Sequence, residues 1–289
     1  MIWANALLQG VMLGGLYALA ACGLSLIFGV MGVINLAHGD LIVLAGYALV
    51  VILAFVPLPP LLAMVLVVPL FFALGYVAQR TLIQASLDRG PLTTLLVTFG
   101  VSIVIENVLL EVFSADSHSV DLGALTTASI QLNDQIYLAY ISIGILALAV
   151  AVLLTLQLML SRSGIGRRIR AVADDREAAQ LAGISYRHVF ALASGVALST
   201  IALAGVAFAA YSSFAPASGP SRLLFAFEAV VIGGLGSLWG TLVGGIILGV
   251  AQTIGSTVDP SLGVLSGHLV FLLVLAARPE GIARRRATA

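Results

Sequence analysis

Long apolar runs constrain this chain more than any other feature. A helix needs about 20 apolar residues to cross a bilayer. Runs near that length, broken only by short polar links, occur at 5–33, 36–56, 61–79, 91–113, 136–160 and 189–210, followed by a glycine-broken stretch at 223–254 and a shorter run at 263–277. The composition agrees: 61% of residues are hydrophobic and 9% charged, against roughly 45–50% and about 25% in soluble domains. The expected fold is an all-α polytopic membrane protein with about eight spanning segments, some broken or re-entrant. Residues 1–289 are read as a single transmembrane domain.

The same composition closes several functional classes. Formal net charge is zero, so nothing electrostatic favours nucleic acid. All 13 basic residues are arginine. Without lysine there is neither a Walker-type phosphate loop nor a lysine Schiff base, so an ATPase driving this protein must be another chain. Cys22 is the single cysteine, which excludes an intrachain disulfide and a thiolate metal cluster. No spacing suits a metal ion or a nucleophile–base pair, and no cofactor is expected on this chain. The start, MIWANALLQG, lacks a basic leader region, so the first apolar run is expected to be retained.

Arginine placement orients the spans, because basic loops stay in the cytoplasm. Arg80 and Arg89 mark the link 80–90. Arg162, Arg167, Arg168, Arg170, Arg176 and Arg187 mark the segment around 161–188. Arg278, Arg284, Arg285 and Arg286 mark the tail. These are assigned inside. The loop 114–135, with Asp116, Asp121 and Asp134 but no arginine, is assigned outside, and counting back puts the N-terminus outside. The stretch 223–254 must then enter and return, with a re-entrant turn at Gly233, Gly234, Gly236 and Gly240. Each arm is expected to be half to two-thirds of a span, which is tolerated only inside protein or beside a cavity.

Ionisable groups at membrane depth need a partner or a purpose. The segment INLAHGD places Asn35, His38 and Asp40 between two apolar runs. It reads either as a helix break on a translocation pathway or as a turn in which Asn35 and Asp40 cap helix ends. On 91–113, Thr94, Thr98, Ser102 and Glu106 recur every fourth residue and share one face. That stripe either lines the pathway or hydrogen-bonds neighbouring helices. Glu228 is expected near the outer mouth, where a carboxylate costs little. Tyr17 and His268 are expected to be packed residues. Small residues every fourth position, as in Gly10–Gly14–Ala18–Cys22, read as close-packing faces. HGDLIVLAG (38–46) and WGTLVGGII (239–247) share a glycine and a leucine at matching offsets, a faint internal echo.

In the loop 161–188, Asp174 or Asp175 caps a short helix at 176–182 that Gly183 ends. Its small-faced EAAQLAG suits a groove on another protein; the alternative is a surface helix on anionic lipid.

EAAQLAG (Glu177–Gly183) resembles the E-A-A-x-x-x-G signature of ABC importer permeases. GLYALAACGLSLIFGVMGVINLAHGDLIVLAGY (15–47), FEAVVIGGLGSLWGTLVGGIILG (227–249) and GHLVFLLVLAARPEGI (267–282) are similar to segments of branched-chain amino-acid permeases, in the same order. The shorter, H-type subunit is the nearer match. The resemblance implies a vitamin-B12-importer-like helical plan with fewer helices. It implies a complex with a second permease subunit (M-type, or a second copy), two ATPase subunits that carry ATP and Mg, and an external solute-binding protein, in a bacterial inner membrane. It assigns Glu177, Ala178 and Gly183 to a coupling helix that docks on the ATPase, and alternating access to the transport step. Phe225 stands where many relatives have lysine, and Trp239 where some have proline. Related permeases move urea, amides or aromatic acids, so the resemblance leaves those substrates open beside branched-chain amino acids. The other classes to weigh are a stand-alone secondary transporter or channel, for which Glu106 is the one strong ion-coupling candidate, and a membrane scaffold.

Overall fold

A computed structural model describes residues 2–56, 58–123, 128–133 and 136–283. Asp134, Arg284, Arg285 and Arg286 lie outside the described residues.

The apolar runs form helices close to the expected bounds: α1 (Ile2–Met31), α2 (His38–Phe55), α3 (Pro60–Ala78), α5 (Pro91–Phe113), α6 (Tyr140–Arg162), α9 (Tyr186–Tyr211), α10 (Gly219–Gly233), α11 (Leu238–Val258) and α12 (Leu262–Ala277). Among the described residues, seven helical segments are long and apolar enough to cross a membrane; α12 is a shorter apolar helix. Proline starts α3, α5 and the segment before α10, where its missing N–H costs nothing. A π-helical turn, Gln79–Ile83, and the one-turn α4 (Gln84–Leu87) extend α3. A two-stranded antiparallel hairpin, β1 (Ser129–Asn133) and β2 (Ile136–Ala139), precedes α6. Two shorter helices, α7 (Gly164–Asp174) and α8 (Arg176–Leu181), fill the loop before α9.

α1 and α9 form the centre. They run antiparallel and are the most buried of the spans, each 78% inside the protein. Their small residues allow it: a side chain at Gly23 of α1 would strike the Ala197 carbonyl of α9. Around this pair the halves of the chain repeat with opposite direction. α1 lies along α11 through Gly10, Gly14, Gly245 and Gly249; α9 lies along α3 through Gly75 and Gly195. α1 also packs on α10, and α9 on α2. The contacts of α1, α2 and α3 are thus mirrored by those of α9, α10 and α11, the pattern of an inverted repeat. The counterpart of residue 38 is therefore residue 219, and the echo between 38–46 and 239–247 is not the structural repeat.

The glycine-rich stretch departs from expectation. α11, with 21 residues, is long enough to span; it is not a half-length arm. The turn at 234–237 lies at the helix ends. Gly234 and Gly236 take positive φ (102° and 78°), a conformation that suits glycine. Ile282 N–H donates to the Ile232 carbonyl and Ala283 N–H to that of Gly233, so the C-terminal segment satisfies carbonyls that the end of α10 leaves open. Gly233, Gly234, Gly236 and Gly240 therefore form a terminal turn, and the break partway along the bundle comes earlier, at 212–218.

The arginine-bearing segments share one end of the molecule. Arg187 pairs with Asp88 at 3.3 Å, Gly236 and Arg170 line one small cavity, and Gly281 packs on Gly234. The opposite end holds the hairpin, where Gln9 donates to the Tyr137 carbonyl. It also holds an aromatic cluster of Tyr47, Phe113, His118 and Phe214, and His118 and Phe214 exchange backbone hydrogen bonds at 2.8 Å.

Candidate functional site

The segment between α1 and α2 turns back into the bundle. Gly32 (φ 68°) ends α1. The Asn35 side-chain oxygen accepts from Ala37 N–H at 3.0 Å, and its backbone carbonyl accepts from His38 N–H at 3.2 Å. Asn35 thus closes a turn just ahead of α2, whose N-cap position is Ala37. His38 is fully buried and its Nε2–H donates to the Ala20 carbonyl at 2.8 Å; that acceptor fixes the proton on Nε2. Ala20 lies well inside α1, so α2 begins partway along its neighbour rather than at its end.

Asp40, in the first turn of α2, is 2% exposed. Its Oδ2 accepts from the Ser102 hydroxyl of α5. Its Oδ1 has no hydrogen-bond partner among the described residues and lies against Gly219, the first residue of α10. A Cβ at Gly39 would strike the Gly219 carbonyl. Two helices therefore start inside the bundle with their first turns in contact. Helix N-termini carry partial positive charge and unpaired N–H groups, which is the environment a buried carboxylate needs.

The stripe on α5 faces this break. Thr94 and Thr98 are buried. Thr98 Oγ1 accepts from Leu36 N–H at 3.2 Å, and Thr94 Oγ1 accepts from the Ser86 hydroxyl at 3.3 Å. Glu106, one turn beyond Ser102, is half-buried. Asn35, His38 and Asp40 of one sequence motif and Thr98 and Ser102 of another thus form one polar seam between α1, α2 and α5. Thr94 lies nearer the arginine end, and Glu106 one turn toward the hairpin end. The hydrogen bonds made by Asn35 and Thr98 hold the backbone of the turn ahead of α2, so these two side chains have a structural role whatever else the seam does.

Two features escaped the sequence reading. Arg222 lies in the first turn of α10, away from the arginine-bearing end, half-buried over the Phe208 ring at 4.1 Å and donating to the Ser212 hydroxyl at 3.4 Å. Its position three residues after a helix start, where a positive charge opposes the dipole, is the signal that was available. Glu228 is not at an outer mouth. It is 1% exposed, and its Oε1 meets His268 Nδ1 of α12 at 2.5 Å. Phe225 lies parallel to His268 and packs on Tyr17, which donates to Gln252 at 2.6 Å. Tyr17 is packed as expected; His268 is a partner of a buried acid.

At the arginine end, Asp175 Oδ1 caps α8 by accepting from Glu177 and Ala178 N–H at 2.9 and 3.0 Å. Gly183 ends it at φ 79°. α7, an additional amphipathic helix capped by Ser163, precedes it. Ala179 faces inward, while Glu177, Ala178 and Gly183 are exposed and Leu181 is 92% exposed. Arg176 lies over the Tyr186 and Phe190 rings at 5.2 and 5.1 Å, a cation–π clasp that fixes α8 on the start of α9.

Helices of spanning length, a pair of helix starts inside the bundle and a polar seam at their meeting describe an all-α polytopic membrane protein, as expected of a permease. The chain belongs to the branched-chain amino acid transport system permease component family, whose description matches residues 6–277. It is 30% identical to the high-affinity branched-chain amino acid transport system permease protein BraD of Pseudomonas aeruginosa, over 98% of this chain and 96% of that protein. It is 30% identical to the corresponding permease protein LivH of Salmonella typhimurium, over 96% and 94%. The likeness to PsaBC from Streptococcus pneumoniae is low, with a TM-score of 0.46 at 16% identity over 94% of this chain and 90% of that one.

Proposed function

We propose that this chain is the membrane subunit of an ATP-driven importer of branched-chain amino acids, working by alternating access in a bacterial inner membrane. The supporting observation is the pair of helix starts that meet inside the bundle, with Asp40 in the first turn of α2 and Arg222 in the first turn of α10. An anionic and a cationic side chain beside unpaired helix N–H groups suit a zwitterion, and a carboxylate in particular. In this reading Asn35, His38, Thr94 and Thr98 hold the broken segment, while Asp40, Ser102 and Glu106 line the path on the α5 side.

α8 is the contact for an ATPase subunit on the cytoplasmic side. Leu181, Glu177 and Ala178 are presented there on a helix clasped to α9, and Gly183 permits its sharp end. Two such ATPase subunits, carrying ATP and Mg, a second permease (M-type or a second copy) and an external binding protein complete the working assembly. The arginine-bearing end faces the cytoplasm and the hairpin faces outward. Urea, amides and aromatic acids are the competing substrates, and they differ in charge. Uptake of radiolabelled leucine by vesicles carrying the full complex tests the reading: ATP-dependent, binding-protein-dependent leucine accumulation is expected. Accumulation of urea or another uncharged amide with none of leucine would overturn the substrate.

A further inference from the structure

An open-mouthed cavity of about 190 Å³ lies between α1, α2, α3, α5 and α9, alongside the seam from Thr94 to Ile105. Its walls are mostly aliphatic, with the hydroxyls of Thr94, Thr98 and Ser194 among them, and among the described residues no charged side chain lines it. Its size far exceeds the ~10–15 Å³ that one water needs, and an apolar cavity of such a size binds apolar molecules rather than water.

Two primary amides interrupt the apolar wall. Gln79, in the π-helical turn, is 1% exposed; its Oε1 accepts from the Ser194 hydroxyl at 2.8 Å, and its Nε2 has no partner among the described residues. Asn35 spends its side-chain oxygen on Ala37 N–H, which leaves its amide nitrogen as a donor. A buried donor without a partner costs about 1–3 kcal/mol, so an oxygen acceptor bound at Gln79 would recover it. π-turns recur at binding sites for this reason: they displace a side chain from the regular ladder.

We infer that this cavity is a phospholipid site, taking an acyl chain with its ester carbonyl on Gln79 Nε2, from the leaflet on the arginine-bearing side. Three observations select a lipid over the transported solute. The cavity offers donors and aliphatic surface but no carboxylate for an ammonium group. Leu74 and Leu82, at its mouth, are 39% and 51% exposed, so it opens on the apolar outside of the bundle. Gln79 adjoins Arg80, an exposed cation within the helical extension of α3, which suits a phosphate headgroup beside the ester. A chain seated there touches Asn35 and Thr98 at the break, so it would support the wall of the pathway.

The test uses the full-length chain in its complex, in nanodiscs containing phosphatidylethanolamine with a diazirine on one acyl chain. After irradiation, adducts of intact phospholipid mass are expected within 74–83 and 94–105. Ala78→Phe, which fills the cavity, should abolish them. Gln79→Leu, which keeps the volume and removes one neutral hydrogen bond, should lower them about fivefold. Millimolar leucine should leave them unchanged. Equal labelling in the wild type and Gln79→Leu, spread evenly over exposed helix faces, would overturn the site as ordinary boundary lipid. Displacement by leucine would overturn it in favour of the solute.

Discussion

The Ser102 hydroxyl donates to the Asp40 carboxylate and so joins the middle of α5 to the first turn of α2. A helix that is otherwise little buried, 11% over its apolar core, is thereby tied to the break. Asp40→Leu removes this tie and leaves Ser102 and the Gly219 helix start facing an apolar group. Leucine uptake in reconstituted vesicles should fall at least about tenfold, while membrane abundance on immunoblots changes less than twofold, in line with a lost charge-assisted bond of about 1.5–3 kcal/mol. Asp40→Asn should retain part of the activity. Equal loss of protein and transport would make Asp40 purely structural.

Gly219 is where α10 meets α2, and a Cβ there would fall on the Asp40 carboxylate. Gly219→Leu should separate the two helix starts and destabilise the protein by roughly 1–3 kcal/mol, the usual cost of overpacking. Thermal unfolding of the detergent-solubilised chain measures this directly. A melting temperature equal to that of wild type would show that the starts do not touch.

Leu181 is almost fully exposed on α8, and its side chain contributes nothing to the fold of this chain. Leu181→Arg should leave insertion and thermal stability unchanged but uncouple transport, with basal ATP hydrolysis by the partner no longer stimulated by loaded binding protein. Gly183→Arg adds strain at φ 79° and should behave the same way, with some loss of stability. Full stimulation in Leu181→Arg would move the docking surface elsewhere.

Cys22 is completely buried, so the wild type is a silent background for thiol labelling. Ser117→Cys, beside the aromatic cluster, should react with an impermeant maleimide added to intact cells. Gln180→Cys, on α8, should react only after the membrane is opened. The reverse pattern would invert the orientation.

The Glu228–His268 contact joins α10 to α12. His268→Leu should cost about 1.5–3 kcal/mol of stability, the value of a hydrogen bond to a charged group. In the background Glu228→Gln the same change should cost clearly less. Additive losses in that double-variant cycle would show that the two side chains act independently.

Span number, the bounds of α5 and the cap at Asp175 were legible because each rests on local chemistry: apolar length, a proline start, a carboxylate before EAAQ. The meeting of Asp40 with Ser102 was half legible. Both residues stood out as polar groups at membrane depth, but their pairing depends on α2 starting deep in the bundle, and no local signal sets that depth. The inverted repeat was not legible. Its halves need only present small residues at helix contacts, which many sequences satisfy, so HGDLI and GPSRL occupy matching places without resembling each other. Glu228 was misplaced for a related reason: its partner His268 is 40 residues away and on a helix whose packing the pattern does not reveal.

Gly205 lets the backbone of α9 press on α2 at Ile42 and Ala45, four to seven residues from where α2 starts, while the other end of α9 is gripped by Arg176 of α8. There is no compressible side chain at the first contact and a stacked cation at the second. Under the proposed docking at α8, a push there would have little slack to take up before it reached the segment that carries Asp40. If α8 is the ATPase contact proposed above, α9 would serve as a connecting rod, with the glycine as its bearing.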